Sequence, residues 1–171
     1  MTVMEKLKKA YYYFFYKIYK SIKYTSEFFG GSFGSDFKAG LAVLTLELFF
    51  WMSLLNYYSL IKNTVFNLNI TSLTLIIPLT LFCMLNYFLL IHTDNWKKYN
   101  MEFDQLPIEK NKKGGIIVWI IIVFVVINLF FSYFLLLMKA KRNHTGPYSK
   151  EYIEKQKVKD SLDEAKYKMD H

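Results

Sequence analysis

Cysteine is almost missing from this chain. Cys83 is the only one in 171 residues, which excludes an intramolecular disulfide and any cysteine-rich metal site. Its place inside an apolar run marks it as a small core residue and not a reactive thiol. Arginine is as scarce: only Arg142 among 22 basic residues. Nucleic-acid readers depend on arginine for bidentate contacts to bases and phosphates. The net charge of +8 is therefore read otherwise. Its lysines sit beside apolar runs and near the termini, a pattern that suits anionic lipid headgroups and not nucleic acid.

Catalytic and targeting motifs are missing too. Gly30-Gly31-Ser32-Phe33-Gly34 matches Gly-x-Ser-x-Gly in form, but no apolar strand precedes it and no aspartate pair flanks a cleft, so hydrolase chemistry has little to rest on. His92, His144 and His171 are scattered without Glu or His at helical ligand spacing, which excludes a zinc motif. The glycines of residues 30–35 (GGSFGS) are not followed by the Lys-Ser or Lys-Thr of a phosphate loop, and no apolar strand precedes them. No enzyme activity, cofactor or metal is expected. The first long uncharged run begins only near residue 39, too late for a secretory signal peptide. Thr2, not glycine, follows Met1, and no prenylation box closes the chain, so attachment to a membrane must come from the chain's own spans.

What the sequence does hold is long apolar runs, with a mean hydropathy of +0.14. Residues 115–138 carry no charged side chain and are closed by Lys112 and Lys113 on one side and Lys139, Lys141 and Arg142 on the other. At ~1.5 Å of rise per residue such a helix covers the ~30 Å hydrocarbon core of a bilayer. Residues 39–61, between Lys38 and Lys62, form a second long apolar run that holds one charged residue, Glu47, and 70–91 a third, with Pro78 placed to kink it. No internal repeat relates the three, so an inverted-repeat transporter is not indicated.

The flanking segments complete an all-α reading. Residues 4–29 repeat apolar positions at Leu7, Tyr11, Phe14, Ile18, Ile22 and Phe29, interrupted by lysines. This is a basic amphipathic helix whose tyrosines suit the headgroup layer, lying on the membrane or packed against the spans. Ser35 or Asp36 is the expected N-cap of the first span. Residues 92–114 read as the longest inter-span loop, broken at Pro107. Beyond residue 139 a hydrophilic tail turns at Gly146-Pro147, with a helix from near Ser149. Val158, Leu162, Ala165 and Met169 give that helix a weak stripe, too short for a coiled coil alone. The fold class is thus an integral membrane protein with three transmembrane helices, an N-terminal amphipathic interfacial helix and a C-terminal soluble helix. It divides into residues 1–35, 36–138 and 139–171. Asn69-Ile70-Thr71 and Asn143-His144-Thr145 match the glycosylation pattern in form.

Lysines crowd the N-terminal side and the 92–114 segment, while the first connection has only Lys62. This predicts a cytoplasmic N-terminus and an outward tail. The basic residues at 139–142 sit on the wrong side of that rule. Polar groups inside the spans are the candidate sites: Glu47, Asn56, Asn86 and Asn128. Counted from the inner ends of their spans, Glu47 lies at about 13 Å and Asn86 at about 9 Å, so the two can meet in a carboxyl-to-amide bond. Asn56, Asn128 and Ser132 read as interhelical glue. The expected role is a non-enzymatic accessory, assembly or scaffolding subunit of a membrane complex, with a protein partner or a homo-oligomer. An oligomeric channel or ion-coupled protein using Glu47 and Asn128 is the alternative. A lipid-acting enzyme with Asp94, Glu102 or Asp104 is a third.

Overall fold

The computed structural model describes residues 2–28, 31, 34–63, 72–92 and 95–169, and among them every element is helical. The helices are α1 (Val3–Phe28), α2 (Ser35–Lys62), α3 (Leu73–Asn86), α4 (Asn95–Asp104), α5 (Ile108–Arg142) and α6 (Lys150–Met169). A π-helical turn, Tyr87–Ile91, extends α3, and a single 3-10 turn, Gly146–Tyr148, separates α5 from α6. Three helices are long and apolar enough to cross a membrane: α2, α3 with its π turn, and α5. Half of the 30–35 turn, the Asn69-Ile70-Thr71 pattern, the first residues of the second span, Asp94 and His171 lie outside the described residues.

The three long helices pack through narrow inward faces. On α2 the buried positions are Ser35, Ala39, Val43, Ser53 and Asn56, mostly small residues that allow close approach of a neighbouring backbone. On α5 the inward positions Val118, Ile122, Val125, Leu129, Ser132 and Leu136 alternate steps of four and three, the spacing of a coiled-coil seam. α2 and α5 run parallel: Tyr57 meets Asn128 and Lys139 reaches Leu60. α3 runs antiparallel to α2, with Asn86 at Glu47 and the Thr74 carbonyl at Trp51. The remaining faces of α5, including Trp119, Phe124, Phe130 and Phe134, are exposed.

At one end of this bundle sits the core. Tyr12, Phe15, Tyr16 and Ile18 of α1 are buried against Ala39 and Val43 of α2, Leu90 of the π turn and Phe103 of α4. The helix thus turns a tyrosine-rich face to protein, while Leu7, one of the apolar positions expected to mark its buried side, is exposed. The reason is chemical. Tyrosine hydroxyls need acceptors, and α2, the π turn, α4 and α5 supply them.

Two expectations are corrected. Within the expected loop, residues 95–104 and 108–114 are helical, as α4 and the first turns of α5. Trp96, Tyr99 and Phe103, spaced three and four apart, give α4 an apolar stripe that docks on α1, through Tyr12 stacked on Tyr99 and Phe15 edge-on to Trp96. Helix α5 begins directly after Pro107, because proline ends what precedes it while leaving the next residues free to start a helix. At ~1.5 Å per residue its 35 residues reach about 52 Å, well beyond a hydrocarbon core. The N-cap of α2 is neither Ser35 nor Asp36 but Gly34, whose φ of 68° is a left-handed conformation that glycine adopts without strain. Asp36 instead accepts from the Phe37 amide.

Gly114 and Gly115 sit inside α5, where glycine is poorer than alanine by about 1 kcal/mol. Their surroundings differ. A Cβ on Gly114 would stand 2.7 Å from Cζ of Tyr13, whereas one on Gly115 meets only the flexible end of Lys17 at 3.4 Å. Gly115→Ala is therefore expected to stabilise the protein by up to about 1 kcal/mol. Gly114→Ala is expected to destabilise it by about 1 kcal/mol, because the Tyr13 ring must leave its hydrogen bonds to Asn111 and its edge contact with Phe103. Denaturant titrations in micelles compare the two, and a gain for both would show that Tyr13 does not hold α1 to α5.

Beyond α5 the tail touches the rest of the protein chiefly through the 3-10 turn. Ser149 caps α6 by accepting from the Tyr152 amide at 3.3 Å, and Val158 and Leu162 are exposed.

Candidate functional site

A polar junction forms where α1 crosses α2 and α3. Asn86 donates to Glu47 Oε2 at 2.7 Å and to the Phe82 carbonyl at 2.9 Å. The Tyr11 hydroxyl stands 3.1 Å from Glu47 Oε1 and 2.8 Å from Asn86 Oδ1, sharing its proton between them. Burial, followed by the neighbouring Glu47 carboxyl, raises the Tyr11 hydroxyl above a phenol's ordinary value, so it stays a donor. Each oxygen of the Glu47 carboxyl therefore has a donor, as a carboxyl between apolar helices requires. Next to it, Tyr12 donates to the Leu89 carbonyl in the π turn at 2.9 Å.

The outer side of α1 is tied down by a second network. The Tyr16 hydroxyl donates to Asp104 Oδ1 and Lys20 to Asp104 Oδ2, both at 2.8 Å, and Lys9 pairs with Glu102. Asn111 at the start of α5 joins in, donating to the Tyr16 oxygen and accepting from Tyr13. Burial pushes the Asp104 carboxyl up, but the bonds from Lys20 and Tyr16 and the charges of Lys20 and Lys23 outweigh it and hold the group below its ordinary value. Glu102 and Asp104 are thus engaged with lysines of α1 rather than gathered at a cleft.

The other polar candidates lie toward the far end of the bundle. Asn56 donates to Ser132 at 3.0 Å, and Asn128 accepts from Tyr57 at 2.8 Å, so both join α2 to α5. Lys139 donates to the carbonyls of Ser59 and Leu60 at 3.1 and 2.8 Å. It caps the C-terminus of α2, where unpaired carbonyls and the helix dipole favour a cation. One of the three basic residues at odds with the predicted orientation is accordingly bound to protein.

The structure brings Glu47 and Asn86 together and gives Asn56 and Asn128 separate partners. Glu47 and Asn128 do not meet: Tyr57, the partner of Asn128, lies ten residues from Glu47 along α2, about 15 Å of rise. Sequence reasoning missed Tyr11, Tyr57 and Lys139, whose partners are remote in the chain and leave no local signal. Among the described residues no three His, Cys, Asp or Glu side chains stand together as a metal site. Comparison with protein-family models, with curated proteins and with solved structures finds no match to this chain.

Proposed function

We propose that the chain is a multi-pass membrane protein with a cytoplasmic N-terminus, acting as a non-enzymatic accessory, assembly or scaffolding subunit of a membrane complex. The observation that carries this reading is the tail: α6 is exposed at every described side chain and, among the described residues, reaches the bundle chiefly by way of the 3-10 turn. A 20-residue helix held off a body whose long helices carry apolar outer faces is an arm suited to a partner. The polar groups within the spans support a structural role as well, since Glu47, Asn56, Asn86 and Asn128 are all bonded to other side chains of the chain. The lysines of α1 and α4 lie on one end of the bundle and fit anionic headgroups there.

The test is the mass of the gently extracted protein, with its companions identified in the same sample. A stoichiometric foreign protein is expected, and removal of residues 150–171 is expected to release it while the three spans stay in the membrane. A defined homo-oligomer without companions would instead favour the channel or ion-coupled reading. That second reading draws on Glu47, an ionisable group held at the junction of three helices.

A further inference from the structure

A cleft of about 400 Å³ opens between α2 and α3 under α1 and α4. Its walls are largely apolar, with Leu41 and Leu44 of α2 facing Cys83 and Leu90, and its charged groups, Asp36 and Lys97, come from the first turns of α2 and α4. Gly40 forms part of one wall, and a Cβ there would find nothing within 4 Å. Glycine in a helix interior is destabilising relative to alanine. At this position it frees no backbone turn and relieves no clash, and what it leaves is room in the cleft.

From this geometry we infer that the cleft holds one acyl chain of a membrane glycerophospholipid, with the headgroup at the charged mouth marked by Asp36 and Lys97. The inference rests on the membrane reading above. Three features choose this occupant. The volume lies within the roughly 300–1,000 Å³ of small-molecule sites. The charges come from the ends of α2 and α4 while the apolar walls run along the long helices, which is the polarity of a lipid. The walls also belong to two helices that a bilayer would surround, so the opening faces the place where acyl chains are found.

The experiment is native mass spectrometry of the protein taken into detergent from vesicles of phosphatidylcholine and phosphatidylglycerol, with alkaline extraction of the same membranes in parallel. Wild type is expected to retain one phospholipid per chain. Gly40→Leu, which fills the cleft from α2, is expected to lower that retention about tenfold, and Cys83→Trp fills it from α3 should the first variant fail to fold. A wild type that emerges bare, or equal retention in the filled variants, would overturn the proposal, because it would mean detergent or peripheral lipid only. If alkali instead strips the whole chain from the vesicles, the membrane reading itself fails and takes the cleft's occupant with it.

Discussion

Asn86→Ala is expected to lower the unfolding free energy in micelles by about 2 kcal/mol, against less than about 1 kcal/mol for Glu47→Gln. Asn86 is the hub of the junction: it donates to Glu47 Oε2 and the Phe82 carbonyl and accepts from Tyr11. Alanine removes all three contacts at once. The Tyr11 hydroxyl can still turn to Glu47 Oε1, but Oε2 is left among apolar helices with no donor, and an orphaned buried acceptor is costlier than a bond whose partners both find a replacement. Interhelical hydrogen bonds in membranes average only about 0.6 kcal/mol when both partners adjust, so it is the orphan that sets the scale. Glu47→Gln makes no orphan, because the amide oxygen still accepts from Asn86 and the amide nitrogen can donate to the Tyr11 oxygen. Equal losses for the two variants would show that the junction is not held through Asn86.

That junction was half legible in the sequence. The depths of Glu47 and Asn86, counted from span ends, brought them to one level, because rise per residue in a helix is fixed. Tyr11 was not legible as their third member. A tyrosine hydroxyl is equally served by water, a headgroup or a protein carboxylate, so composition alone left the α1 tyrosines between a lipid surface and the spans, and four of them bond to the chain itself. The stripe of Trp96, Tyr99 and Phe103 was present but diluted by Asn, Lys and Asp, and it reads as a helix only once α1 offers it a surface. In α5 the reverse holds. The seam from Val118 to Leu136 has a regular spacing, yet its neighbours are apolar too, and periodicity vanishes where every position is apolar. The π turn after Asn86 and the reach of Lys139 to α2 depend on neighbours distant in the chain and carry no local signature.

Phe103→Ala is expected to release α1 from the bundle, with a loss of about 3–5 kcal/mol in the stability of that end. Phe103 is buried, with Tyr13 edge-on at 5.0 Å, Tyr16 at 5.5 Å and Tyr99 at 5.9 Å. Lys9 also lies over its ring. Truncation leaves a void bounded by three rigid rings, which collapse poorly around it. The long helices are shielded by detergent or lipid, so the lesion should appear as local undocking: trypsin is expected to cut at Lys17 and Lys20 in the variant while α5 stays intact. Acid should act in the same direction through Asp104. Its carboxyl is held below the ordinary value when α1 is docked, so its contribution is fully present above the undocked value of about 3.9 and fades as pH falls through the lower docked one. Wild-type resistance to an acid-active protease should therefore be lost only on strong acidification, with trypsin resistance unchanged across neutral pH. If Phe103→Ala left α1 as resistant as wild type, the Phe103 cluster would not be what holds this helix, and its packing on α2 with the tyrosine hydrogen bonds would have to do so, since the exposed ion pairs from Lys9 and Lys20 are each worth under about 1 kcal/mol. A loss confined to α1 would show that the docking of α4 on this helix, and not a lipid surface, fixes the buried Tyr12 and Phe15.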